Sequence, residues 1–457
     1  MSDPPENSVS SMQSSIYRLF LILVTALLIP TAHADVVTLD PEAPRQNLSP
    51  QIRYFKDSSG SRSIDEIIRH RPELPWLTDG SAVPNFGFNE HPFWIHFHLA
   101  NPSENAVERY LSINYPLLDD VDIYRVTDNQ VKQQWHLGDT QPFGERVILN
   151  RNFVVPVTFE PESSTHIYIR VDTTSSMQLP IELTEPRHFH QTEFREAVLQ
   201  FLFYGGLLVM VIYNLFLFLS IKNISYLFYV FYITNIIFLY LAVQGYGFQL
   251  LWPDQPWFNS KNIITLASSA VVVSIVFSIS FLQTRRYTPR THQYLLGLLA
   301  VTCGFLVANL FLPYSTMIKP TLLLNSFAAA SLLVISIIVW RSGNRSARYY
   351  TIAWATLIAG IVMINLNKLG VLPRNLITEH AMQLGVLLEA LLLSFALADR
   401  INRERREKFE AQKLAIHNEN LAREEHERYL QTKLKAEVDE LKAKEATIQA
   451  RAESKAK

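Results

Sequence analysis

The chain has 457 residues, and its 41 Lys and Arg are balanced by 42 Asp and Glu, so the whole-chain charge carries no nucleic-acid footprint. The single cysteine, Cys303, lies in an apolar run, which excludes a disulfide framework and a cysteine-based metal site. The near-neutral total hides strong segregation, with long apolar runs between Val198 and Leu397 and a tail after Asp399 that is dense in charge.

Residues 1–15 are polar. Tyr17-Arg18, the apolar stretch 19–29 and the small-residue site Ala32-His33-Ala34 then have the three parts of a secretory signal peptide, cut after Ala34; an uncleaved anchor is the alternative. From residue 35 to 192 the pattern changes to short alternating runs separated by Pro, Asn, Asp and Gly: 94–99, 109–114, 121–126, 153–159, 166–171 and 179–183. Period-2 runs bounded by turn residues predict an antiparallel β-sandwich. Residues 63–70 alone read as helix.

Seven apolar segments follow, at 197–220, 225–243, 263–282, 294–312, 318–340, 349–369 and 381–398. Backbone groups in lipid must be paired within the segment, so each is expected to be a transmembrane helix. The loops after the first, third and fifth carry Lys222, then Arg285, Arg286 and Arg290, then Arg341, Arg345 and Arg348. The opposite loops carry only Lys261, Lys319, Lys368 and Arg374. Positive-inside bias therefore places the first set and the tail in the cytoplasm, and an odd number of spans puts the β-domain outside, in agreement with the signal peptide.

The tail, 400–457, has almost no Gly or Pro and reads as helix throughout. Phe409/Ile416, Leu414/Leu421 and Leu434/Leu441/Ile448 recur at seven residues, as in a dimeric coiled coil, although thirteen residues from Leu421 to Leu434 break that register. A solvated charged helix is the other reading.

Taken together, the stretch from Tyr204-Gly205-Gly206-Leu207 to Tyr213-Asn214-Leu215-Phe216-Leu217-Phe218-Leu219-Ser220, with Ser225-Tyr226-Leu227 and Leu388-Glu389-Ala390 through Asp399-Arg400, resembles the bacterial seven-transmembrane receptors with diverse intracellular signalling modules. The outer stretches Trp94 to Pro102, Tyr115-Pro116-Leu117-Leu118-Asp119-Asp120-Val121, Gly138-Asp139 with Pro142-Phe143, and His166 to Pro180 resemble that family's second extracellular domain, a jelly-roll similar to carbohydrate-binding modules. The resemblance implies a receptor whose members usually end in a histidine kinase, a diguanylate cyclase or a phosphatase module. The last residues here resemble the lead-in to a kinase dimerisation helix, so a truncated or split receptor kinase and a protein that signals by contact alone are both open.

No phosphate-cradling loop, nucleotide box or catalytic triad spacing appears in the tail, so no enzymatic activity, cofactor or metal is expected of the chain as given. In the β-domain, alternation places Trp94, His96 and His98 on one strand face and Ile95, Phe97 and Leu99 on the other. If the second set is core, the first is an exposed aromatic and imidazole stripe. With Trp76, Trp135 and Arg170 it supplies the stacking faces and planar donors that suit a sugar, and the resemblance points to a glycan or other small ligand. Within the membrane, Glu389 stands near the middle of its span, where a carboxylate is costly and by default functional. Asn214, Asn365 and Asn367 are the expected hydrogen-bond partners, and Asp399-Arg400 marks the exit from the bilayer.

The sequence thus predicts a membrane protein with a signal peptide at 1–34, a periplasmic β-sandwich at 35–192, a seven-helix bundle at 197–399 and a cytoplasmic coiled-coil helix at 400–457. It reads as an inner-membrane receptor of a Gram-negative-type cell, homodimeric through its tail, passing a signal to a cytoplasmic kinase or other module. The rivals are a stand-alone interaction protein modulating such a partner and, further off, a transporter.

Overall fold

The computed structural model describes residues 36–81, 83–368, 372 and 376–456. The expected signal peptide and its cleavage position lie outside them. The chain divides into two compact units, one holding the β-strands together with Leu241–Ser260, the other holding Ala197–Tyr240 and everything after Ser260.

In the first unit the strands are β1 (Val37–Thr38), β2 (Arg45–Asn47), β3 (Arg53–Lys56), β4 (Leu77–Thr78), β5 (Asn85–Phe88), β6 (Phe93–Asn101) and β7 (Val107–Ile113). They continue with β8 (Asp120–Thr127), β9 (Gln130–Leu137), β10 (Phe153–Phe159), β11 (Ser163–Asp172), β12 (Ser176–Gln178) and β13 (Ile181–Thr184). One sheet runs β4-β3-β6-β11-β8-β9 and the facing one β10-β7-β13-β2, all antiparallel; β1 adds a two-residue parallel pairing to β6. Ile95, Phe97, Leu99, Ile123, Ile167 and Ile169 of the first sheet pack with Leu111, Ile113, Val155, Val157, Ile181 and Leu183 of the second in one buried core. That is the expected sandwich, built on strand alternation.

The β8–β9 hairpin turns at Asp128-Asn129, both with positive φ (52° and 56°), the backbone of a tight two-residue turn whose twist matches the strands and which Asp and Asn tolerate. Strand β9 was not among the expected strands. It is a sheet edge whose Lys132, Gln133 and Gln134 are exposed, so its sequence lacks the apolar alternation of a half-buried strand.

Helix α1 (Ile64–His70) starts on a capping box, with Glu66 N–H donating to Ser63 Oγ and Ser63 N–H to Glu66 Oε2. Its Ile64, Ile67 and Ile68, with Leu74 and Trp76 just after it, pack on Phe55, Trp94, Tyr124, Val126 and Tyr168 in a second cluster. That part of the outer face of the first sheet is therefore covered.

The long helices are α2 (Pro186–Ile221), α3 (Ile224–Val243), α5 (Pro256–Leu282), α7 (Pro289–Phe311), α8 (Tyr314–Arg341), α9 (Ala347–Lys368) and α11 (Ala381–Ala456); α4 (Tyr246–Leu250), α6 (Thr284–Tyr287) and α10 (Leu376–Glu379) are short connectors. Among the described residues, six of the long ones are long and apolar enough to cross a membrane, and Ala347–Met363 of α9 is a shorter apolar stretch. Large side chains such as Leu202, Phe216, Phe311 and Leu323 stand exposed on them, as lipid-facing residues do. Helix α11 runs without interruption for 76 residues, from the last apolar run through the charged tail.

Candidate ligand and transmission sites

On the outer face of the first sheet the strand register lays out rungs of side chains. Phe55, Trp94, Arg170, Asp122 and His136 form one; Arg53, His96, Tyr168, Tyr124 and Gln134 the next; His98, His166, Val126 and Val131 the third. Trp94, His96, His98 and Arg170 thus share a face, as expected. The stripe is not exposed, however: Trp94 is fully buried, His96 is 4% exposed and His98 half-buried. Alternation separates the two faces of a strand and says nothing about what covers the second one. Here α1 and Trp76 do.

Trp76 joins this face, its ring centroid 5.0 Å from Phe55 and 5.4 Å from His96, its indole N–H donating to the Arg71 carbonyl at 3.0 Å. Trp135 does not. It pairs with Ile123 and packs on the inter-sheet core, on the opposite side of the sheet. Arg170 is engaged with Asp122 and Asp172, at 3.6 and 3.1 Å, and Asp122 also meets His136 at 2.6 Å.

His166, which the sequence reading did not single out, is central to the third rung. Its ring lies 4.1 Å from that of His98, its Nδ1 is 3.0 Å from His96 Nε2, and Arg71 Nη1 approaches its Nε2 to 2.9 Å. Burial, followed by the neighbouring bases His166, Arg71, Arg53 and His98, pushes the His96 imidazole down to about 2, so it is neutral at physiological pH. Among the described residues no group of His, Cys, Asp and Glu has the arrangement of a metal site.

A second concentration of polar groups lies where residues 139–152 meet Leu241–Ser260, within the same unit. The Arg146 guanidinium stands over the rings of Phe143, Phe153 and Phe248 at 4.6, 4.7 and 5.7 Å and donates to the carbonyls of Asn150 and Arg151 at 2.7 and 2.8 Å. Arg151 donates to Glu196 at 2.6 Å and lies over Tyr246. Phe143 N–H donates to the Pro253 carbonyl at 3.0 Å, and Asn259 to that of Asp139 at 3.4 Å. Asp139, 6% exposed, has its carboxyl pushed well above the usual range by burial and by Asp119, against the pull of Arg146.

In the second unit Glu389 is fully buried, and its partner is Tyr232 of α3, whose hydroxyl reaches Oε1 at 2.8 Å and Oε2 at 3.0 Å. Asn214 is not the partner: it bonds Ser394 at 3.1 Å, further along α11. The side chains of Asn365 and Asn367 lie outside the described residues. Tyr229 adds a bond to the Ala390 carbonyl at 2.7 Å.

At the charged end, Arg400 Nη1 donates to the carbonyls of Ser280 and Phe281 at 2.9 and 3.0 Å. These belong to the last turn of α5, whose carbonyls have no partner within their own helix. Glu404 takes a bond from Arg400 at 2.9 Å and another from Gln283 at 3.1 Å, so one turn of α11 closes the end of α5. Asp399 instead pairs along its own helix with Arg403 at 3.0 Å.

A β-sandwich unit and a set of apolar helices, one of them continuing as a long charged rod, define a multi-pass membrane protein with a folded non-membrane domain. Two family models match the chain: 7TM diverse intracellular signalling over residues 196–400, and 7TMR-DISM extracellular 2 over residues 49–185. The chain belongs to this family of seven-transmembrane receptors with diverse intracellular signalling modules. No curated protein matches it.

Proposed function

We propose that the chain is a ligand-responsive receptor of the inner membrane of a Gram-negative-type cell, with the β-sandwich in the periplasm and the end of α11 in the cytoplasm. The arginine distribution of the loops supports this orientation. The observation that carries the reading is the single 76-residue helix, which holds Glu389 in its apolar part and Arg400 just past it, and continues into the solvent as an exposed rod. Such a helix converts a shift inside the bundle into displacement of its far end.

A ligand acts only through its different affinity for two states, typically about 1–3 kcal/mol of coupling. In this reading the sandwich binds the ligand, a carbohydrate or another small molecule. Residues 139–152 pass the change to Leu241–Ser260, which is also the connection between α3 and α5. Helix α3 contacts Glu389 and α5 contacts Arg400, so both are placed to bias α11.

The rod is read as a parallel homodimer that delivers the signal to a histidine kinase or comparable module. Phe409, Ile416 and Leu430 occupy one heptad position, and Leu434, Leu441 and Ile448 the complementary one four residues on, with Arg423 and Glu427 at these positions between Ile416 and Leu430. Leu414 and Leu421, which suggested a register break, fall on a different stripe. Asn420 falls on the same position as Leu434, where a paired Asn favours parallel, in-register dimers. Single cysteines at 434 and 441, in a Cys303→Ser background, are expected to crosslink between copies in native membranes. If no dimer forms under any condition, the paired-rod mechanism fails.

A further inference from the structure

The connection from β9 to β10 has an apolar middle, Val147-Ile148-Leu149. Loops on a folded domain run over its surface and meet water, so they ordinarily carry polar side chains there. Here Val147 and Leu149 are each more than half exposed, with Ile148 partly buried between them. They are held in that position. Arg146, buried beside them, donates to the carbonyls of Asn150 and Arg151 at 2.7 and 2.8 Å, and Asn150 N–H donates to the Ile148 carbonyl at 2.8 Å. The side chains of Asn150 and Arg151 donate to Glu193 and Glu196 of α2 at 2.7 and 2.6 Å. This clasp turns two apolar side chains outward and fixes them there.

A second segment of the same unit presents the same chemistry. Leu250 and Leu251, at the end of α4, are also more than half exposed, whereas Tyr246, Gly247 and Phe248 of that short helix are buried. The two segments are bonded to each other: Phe143 N–H donates to the Pro253 carbonyl at 3.0 Å, the Arg146 guanidinium lies 5.7 Å from the Phe248 ring, and that of Arg151 5.0 Å from Tyr246. Residues 244–255 join α3, which ends at Val243, to α5, which begins at Pro256. Both helices are long and apolar enough to cross a membrane, so covalent continuity holds their connection at a bilayer surface. Whatever is bonded to that connection stands at the same surface.

We infer that Val147 and Leu149, with Leu250 and Leu251, form an apolar foot by which the sandwich unit docks on the bilayer, in the leaflet where α3 ends and α5 begins. Four apolar side chains held outward at a membrane surface leave water by entering it. Glu145 and Asp254, exposed beside them, keep the insertion shallow, because a carboxylate in the hydrocarbon is costly. The foot therefore reaches the boundary between headgroups and acyl chains, the depth at which interfacial apolar groups lie. This docking is independent of ligand and output, and of which side of the membrane the sandwich occupies.

The test is fluorescence of the full chain in nanodiscs of phosphatidylethanolamine and phosphatidylglycerol. Leu149→Cys and Leu250→Cys, each in a Cys303→Ser background, carry a polarity-sensitive dye, and Phe216→Cys on the exposed face of α2 serves as the lipid reference. Blue-shifted emission, quenched by lipids brominated high on the acyl chain and protected from aqueous iodide, is expected at both 149 and 250. Iodide quenching without lipid quenching at either position overturns the docking; if it occurs at 149 alone, only the connection between α3 and α5 rests on the bilayer. Blue-shifted emission that neither quencher reaches also overturns it and assigns the patch to a protein cover, such as a second copy. Should Leu149→Cys fail to fold, Val147→Cys occupies the same tip and is read by the same criteria. The receptor reading stands or falls separately, on the crosslinking of the rod.

Discussion

The hydroxyl of Tyr232 reaches both carboxyl oxygens of Glu389, at 2.8 and 3.0 Å, and both residues are buried in the helical unit. Tyr232→Phe removes the donor and leaves buried oxygens unmatched, which costs about 1–3 kcal/mol. Glu389→Gln keeps an acceptor for the tyrosine and is expected to cost less. The double variant should be more stable than the sum of the single losses implies, because the bond that one change breaks and the other weakens can be lost only once. Thermal unfolding in micelles measures all three; strict additivity would show that the two side chains do not act as a pair.

A second expectation concerns a close backbone approach in that unit. A Cβ on Gly360 of α9 would stand 2.7 Å from the Ala381 carbonyl oxygen of α11, and one on Gly385 would stand 3.1 Å from the Thr356 carbonyl oxygen. The two glycines face each other, the small-residue contact by which membrane helices gain van der Waals packing. Gly360→Val is expected to push α9 from α11 and cost about 1–3 kcal/mol as an overpacked contact, with Gly385→Ala milder. The order of the two unfolding midpoints checks this.

What a sequence pattern reveals depends on what that pattern measures. Alternation located β6, β7, β10 and β11 because each has one face in the core, and it failed for β9, whose polar edge has little to bury. The same alternation grouped Trp94, His96 and His98, yet the helix that buries them is set by tertiary packing; its only sequence trace is the spacing of Ile64, Ile67 and Ile68. Glu389 was legible because a carboxylate in an apolar run has one obvious meaning. Tyr232 was not, since α3 carries several tyrosines and nothing local distinguishes the one facing inward. The contribution of Leu241–Ser260 to the sandwich unit is a long-range contact that no periodicity encodes.

That segment yields a third expectation. Gly245 has φ +77°, a left-handed conformation, and a Cβ there would come within 2.8 Å of Pro116 and 3.2 Å of Arg151. Gly245→Ala therefore meets both backbone strain, about 1–2 kcal/mol, and a clash with residues of the sandwich. Protease sensitivity between residues 241 and 260 is expected to rise in the variant while the Tyr232 to Glu389 contact is untouched. Equal digestion of variant and wild type would mean that the segment is not held by the sandwich.

The fourth expectation is a pH dependence of stability seated at His96. Burial and the bases around it hold its folded pKa down, from the usual 6.5 to about 2. Above pH 6.5 the imidazole is neutral folded or unfolded, and the site contributes no pH slope. Below 6.5 the unfolded chain takes up a proton that the folded chain refuses, so stability falls as pH falls, by about 1.4 kcal/mol per pH unit for one such group. The groups facing it are Arg53 on β3, His98 on β6, His166 and Tyr168 on β11, and Arg71 and Trp76 after α1. None is a carboxylate that would offset the effect by pairing with the new charge. In His96→Phe, which keeps the ring and removes the titration, the difference from wild type in unfolding free energy should shrink between pH 7 and 5 if Phe is the less stable at pH 7, and change sign if the two start near equal. Parallel pH profiles for the two proteins would place the acid sensitivity elsewhere.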